Sequence, residues 1–209
     1  MKKIGIMGGT FDPVHNGHLL AAESVRERMG LDEIWFMPSF RPPHKPGSPG
    51  ANAEQRWDMV CLALRSNPHF RPLDVELKRG GVSYTVDTMR QLRQSYPEHS
   101  FYFIIGADMI NMLPQWRDIE QLARDISFIG VKRPGTALRL DRLPDYLQAR
   151  LALAEMPQFE ISSTQIRTRT AAGQSIRYMV PEEIRQYIQA NRLYESIDGG
   201  EVHGPSDID

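Results

Sequence analysis

The run Phe101-Tyr102-Phe103-Ile104-Ile105, closed by Gly106, leaves the chain few choices. Five β-branched or aromatic residues without polar alternation read as a strand buried on both faces. Ile126 to Val131 repeats the pattern, and Lys3 to Gly8 and Glu33 to Pro38 (EIWFMP) supply two earlier strands. Segments with helical spacing lie between them. Leu19, Ala22, Val25 and Met29 fall on one face of a helix over Gly17 to Met29, with Gly30 as its stop. Trp57, Val60, Cys61 and Leu64 form a second stripe ahead of Asn67-Pro68, and a third helix runs from Val86 toward Tyr96 until Pro97. Phe70 to Leu77 is expected to be extended. The alternation defines an α/β class, a doubly wound parallel sheet with helices on both faces. The last third is more helical: a helix over Pro144 to Leu153, a short strand near Phe159 to Ile161, a helix from Ser163, and one over Pro181 to Asn191 opened by a proline and two glutamates.

Length and charge narrow the function. A chain of 209 residues can bury a continuous core without disulfides, and residues 1–195 are expected to form a single domain followed by an acidic, solvated tail over 196–209. The net charge is −1 and the 25 basic residues are dispersed, so the electrostatic footprint of a nucleic-acid binder is missing. No apolar run is long enough for a membrane span, and the apolar start breaks too early for a secretory leader, so a cytoplasmic location is expected. Cys61 is the one cysteine, which rules out an internal disulfide; it is expected to be a small buried hydrophobe.

Three polar clusters fall where strands end, which is where open parallel sheets bind ligands. The first is GGTFDPVHNGH, residues 8–18. Gly8 and Gly9 permit close backbone approach, the next helix offers its free N–H groups, and His15 and His18 can both donate to one phosphate. The pattern matches neither the P-loop nor the dinucleotide fingerprint. The bland alternative is two exposed histidines at a helix start. The second cluster is ISSTQIR, residues 161–167, where Ser162 and Gln165 have the spacing of a capping box while Thr164 and Arg167 share a face suited to polyphosphate. The third is Gly106-Ala107-Asp108, in which Asp108 suits ribose hydroxyls or caps a helix. Trp116, in MLPQW, either stacks on a planar base or fills the core.

GGTFDPVHNGH resembles the signature of the HxGH nucleotidyltransferase superfamily, and ISSTQIR resembles its partner motif. With GVSYTVDT, IIGAD and the LPQW segment, the likeness spans most of residues 3 to 192 and points to the bacterial nicotinate mononucleotide adenylyltransferases. The resemblance implies a Rossmann-like fold, ATP and nicotinate mononucleotide as small-molecule substrates, Mg2+, and transfer of AMP by direct attack of the substrate phosphate. It implies that His15 and His18 hold the α and β phosphates with Thr10 near the turn, and that Arg167, Ser163 and Thr164 serve the β and γ phosphates. Thr85 and Trp116 would meet the pyridine ring, with backbone N–H groups near Trp116 receiving its carboxylate and Lys45 arriving as a lid cation. No metal ligand is assigned, and self-association is left open. A phosphopantetheine or cytidylyl enzyme of the same superfamily, and a silent nucleotide-binding regulator, are the rival readings.

Overall fold

In the computed structural model, which describes residues 1–41, 50–132, 140–157 and 160–196, six strands form one sheet in the order β3-β2-β1-β4-β5-β6. Every pairing is parallel. The strands are β1 (Lys3–Gly9), β2 (Glu33–Pro38), β3 (Phe70–Pro72), β4 (Ser100–Gly106), β5 (Ser127–Lys132) and β6 (Leu151–Glu155). Helices α1 (Asn16–Met29), α2 (Ala53–Leu64), α3 (Val75–Arg79), α4 (Thr85–Ser95), α5 (Ala107–Ile110), α6 (Ile119–Asp125), α7 (Asp145–Gln148), α8 (Ser163–Ala171) and α9 (Glu182–Ala190) connect and follow them. One face of the sheet buries Met7, Ile34, Phe36, Ile104 and Ile129 against α1, α2 and α9. The other buries Ile6, Trp35, Phe103 and Phe128 with residues of α4, α6 and α7. The doubly wound expectation therefore holds. The chain reverses its direction of winding between β1 and β4, where parallel sheets leave a crevice at their carboxyl edge.

Local chemistry accounts for most boundaries. Gly30 closes α1 in the left-handed region (φ 58°), where its N–H reaches the carbonyls of Arg26 and Glu27. Asn52 and Gln55 form a reciprocal capping box at the start of α2. Gly130 lets α5 and β6 approach β5: a Cβ there would lie 2.4 Å from Ile110 Cδ1 and 2.9 Å from Leu153 Cδ2.

Four expectations need correction. The segment Phe70 to Leu77 is extended only through Pro72, after which α3 carries Glu76 into the interior. Pro144 to Leu153 is not one helix, since α7 ends at Gln148 and Leu151–Glu155 joins β5 as the edge strand. The sixth strand thus comes ahead of the position expected near Phe159 to Ile161; Phe159 lies outside the described residues. The buried stripe of α2 is Arg56, Met59, Val60, Ala63 and Leu64, one residue out of phase with the expected one, which leaves Trp57 and Cys61 half-buried. Burial pushes the Cys61 thiol above its usual pKa. The expected tail, apart from Ser196, also lies outside the described residues.

Candidate active site

A cleft of about 420 Å³ opens at the carboxyl ends of β1, β2 and β4. Of the residues singled out from sequence, Gly8, Gly9, Thr10, Thr85, Gly106 and Trp116 line it. The glycines serve packing here. A Cβ on Gly8 would sit 2.9 Å from the Phe103 ring, and one on Gly9 would sit 3.1 Å from the Phe11 ring. Trp116 stands edge-on to Phe103 (5.8 Å between centroids), so it both fills the core and walls the cleft. Its Nε1–H is buried without a hydrogen-bond partner among the described residues. The backbone N–H of Trp116 donates to the Leu113 carbonyl (3.0 Å) and that of Gln115 to Met112 (2.9 Å). Both amides are thus hydrogen-bonded within their own turn. Thr85, the first residue of α4, and Arg117, whose guanidinium lies 4.7 Å over the Tyr84 ring, face the same cleft.

The histidines are not two exposed surface groups. His15, the N-cap of α1, is 3% exposed, and its ring stacks on His18 at 3.6 Å between centroids. Together they form a capping box. In it His18 Nδ1 accepts a hydrogen bond from the His15 backbone N–H (3.3 Å). With Nδ1 accepting, the proton of a neutral His18 ring resides on Nε2. The Phe11 ring meets His18 edge-on at 5.1 Å and fixes it from the strand side.

The second motif joins this loop across the fold. Ser163, the first residue of α8, donates from Oγ to the Pro13 carbonyl (2.9 Å), and Arg167 Nη1 donates to the Asp12 carbonyl (2.8 Å). The N-termini of α1 and α8 therefore converge on the Asp12-Pro13 turn, which contains a cis peptide bond. Neither helix carries an acidic residue in its first turn. Two positive helix ends, two histidines and an arginine at one turn make a setting for an anion. Ser162 caps α8 by accepting from the Gln165 N–H (3.1 Å), so capping accounts for Ser162, while Thr164 Oγ1 accepts from Arg167 Nη2 (3.4 Å). Lys45 and the side chain of Asp108 lie outside the described residues.

Three polar residues that shape the site were not singled out from sequence. Arg56 is 1% exposed and donates from Nη1 to the carbonyls of Thr10 (2.8 Å) and Ser39 (2.7 Å), clamping the ends of β1 and β2 together. Burial lowers its pKa, partly offset by Asp12. Glu76 lines the cleft and accepts from Thr88 Oγ1 (2.7 Å); burial raises its pKa. Asp12 belongs to the first motif but was given no role, and it proves to be a junction. A charged residue on the buried face of an amphipathic helix was the available signal for Arg56. Glu76 had none.

These features define a class, the nucleotide-transferring α/β enzymes, and the sequence profile of the Cytidylyltransferase-like family matches residues 6–169. Nicotinate-nucleotide adenylyltransferase of Bacillus subtilis (strain 168) is 48% identical over 196 residues, covering 94% of this chain and all of that one. The chain belongs to the nicotinate-nucleotide adenylyltransferase family. Two structures of Plasmodium falciparum nicotinic acid mononucleotide adenylyltransferase, one complexed with NaAD and one with APC, share the fold. Each has a TM-score of 0.76 and 21% identity, over 93% of this chain and 98% of theirs.

Proposed function

We propose that the protein transfers the adenylyl group of ATP to nicotinate mononucleotide, releasing pyrophosphate and forming nicotinate adenine dinucleotide. The observation that carries this reading is the convergence of two helix N-termini, His15, His18 and Arg167 on one turn beside a cleft walled by Trp116 and Thr85. The acceptor phosphate is already ionised at neutral pH, so attack on the α-phosphorus needs no general base. What remains is to bring two polyanions together and stabilise charge on the bridging and leaving oxygens. His18 donates from Nε2 and His15 completes the grip on the α and β phosphates, with Thr10 at the turn. Arg167, with Ser163 and Thr164 at the start of α8, receives the β and γ phosphates. Gly106, at the end of β4, lies on the cleft where the ribose of ATP is assigned. Bound with ATP, Mg2+ would offset the charge of its phosphates. Among the described residues no group of three His, Cys, Asp or Glu side chains could hold an ion, so phosphate oxygens and water would carry most of its coordination.

The pyridine ring packs against Trp116, with the Thr85 end of α4 and Arg117 on the carboxylate side. A carboxylate accepts from both and pairs its charge with Arg117, whereas a neutral amide keeps one acceptor oxygen and forfeits the charge-assisted bond, a difference that favours the acid. The test is mass spectrometry of products after incubation with ATP and Mg2+ plus, separately, nicotinate mononucleotide, nicotinamide mononucleotide and phosphopantetheine. Dinucleotide and pyrophosphate are expected from the nicotinate substrate. Equal turnover of the amide would overturn the selectivity argument, product from phosphopantetheine would replace the acceptor, and binding without product would remove the activity.

A further inference from the structure

Asp12 gathers three distant parts of the chain. Its Oδ2 accepts from the Gly50 N–H (2.8 Å), and its Oδ1 accepts from the Ala51 N–H (2.9 Å) and the Tyr194 hydroxyl (2.8 Å). Its carbonyl takes the hydrogen bond from Arg167 Nη1, while the nearest approach of that guanidinium to the Asp12 carboxylate is 3.7 Å. The pair is thus a loose ion pair beside a strong backbone bond. Gly50 lies between the other two partners. A Cβ there would be 3.0 Å from the Tyr194 ring and 3.3 Å from Arg167 Cδ.

A carboxylate that already accepts three good hydrogen bonds has less to gain from closing on a cation. We propose that Tyr194 is a positioning residue for ATP: its bond to Oδ1, beside that of the Ala51 N–H, pins the carboxylate so that Oδ2, the oxygen nearest Arg167 and already taken by the Gly50 N–H, does not swing into a tight pair, and the guanidinium is left for the polyphosphate. The proposal rests on the reading that Arg167 receives phosphate. Burial and the adjacent Asp12 hold the Tyr194 phenol far above its ordinary pKa, so it remains a donor throughout the neutral range. The device lies 182 residues from Asp12 in sequence and links the C-terminal end of the described chain to the first motif.

Tyr194→Phe keeps the ring against Gly50 and removes only the donor. Steady-state kinetics should show the KM for ATP raised about three- to tenfold, the effect of one lost hydrogen bond, with the KM for nicotinate mononucleotide within about twofold. In an Arg167→Gln background the same change should add little. Unchanged ATP KM in Tyr194→Phe beside a large rise in Arg167→Gln overturns the role of Tyr194 alone. No effect of Arg167→Gln on ATP overturns the phosphate reading beneath it. Equal rises in both KM values, or additive effects in the double variant, would make Tyr194 a structural residue and also overturn the proposal. Should Tyr194→Phe not fold, Tyr194→Gln, which retains a donor, is expected to keep the ATP KM below that of Tyr194→Leu; equal values would refute it.

Discussion

Replacing Arg56 with methionine removes a buried guanidinium and keeps most of its apolar stem. Two carbonyls, of Thr10 and Ser39, lose charge-assisted donors at 2.8 and 2.7 Å; the contact to Phe40 at 3.4 Å is too long to weigh. Each short bond to a charged donor contributes about 1.5–3 kcal/mol, a gross loss of roughly 3–6 kcal/mol. Against this stands the desolvation that already lowers the Arg56 pKa, and relief of it returns part of the loss. The expected net destabilisation is about 2–4 kcal/mol, or roughly 5–15 °C in Tm for a chain of this size. Thermal and urea unfolding followed by circular dichroism would measure it. Because Thr10 and Ser39 line the cleft, kcat/KM should fall for both substrates even where the variant is fully folded. Arg56→Lys, which has no fork to span both carbonyls, should fall between parent and methionine variant. A methionine variant within about 0.5 kcal/mol of the parent, or more stable, would mean that desolvation outweighs the clamp, and the reasoning would fail.

His18→Ala should lower turnover by ~10²-fold, about 3 kcal/mol of transition-state stabilisation, and near-parental turnover would remove His18 from the phosphate grip. Gly130→Ala should cost about 1–3 kcal/mol in chemical denaturation, because its Cβ collides with Ile110 and Leu153, while activity per folded molecule holds; an unchanged midpoint would show that these side chains move aside freely. Tyr187 donates to Asp58 Oδ2 (2.9 Å), tying α9 to α2, and burial together with Asp58 pushes its pKa up to about 12. A phenol whose folded pKa is raised stabilises the fold below the unfolded value near 10 and loses that contribution as pH climbs through 12. Urea titrations should therefore show stability declining between about pH 10 and 12 more steeply in the parent than in Tyr187→Phe; identical slopes would exclude the linkage.

The elements legible in sequence are those whose local chemistry and burial agree. β1, β2, β4 and β5 are apolar runs rich in β-branched and aromatic residues, the glycine after α1 has no local alternative, and the GGTFDPVHNGH motif lies where strand, turn and helix start meet. Elsewhere packing overruled propensity. Leu151–Glu155, LALAE, has the composition of a helix and is a strand because β5 offers it a ladder to complete. Arg56 is more polar than Trp57 yet takes the buried position, because the loops after β1 and β2 aim two carbonyls at that point. The amides of Gln115 and Trp116 donate within their own turn, a pairing that no linear pattern announces. The sequence alone determined the parallel sheet and the two polar motifs that open α1 and α8. Only the tertiary structure decided that Asp12, Gly50, Arg167 and Tyr194 meet, since hydrogen bonds between residues 38 to 182 positions apart depend on how layers pack and leave no periodic trace along the chain.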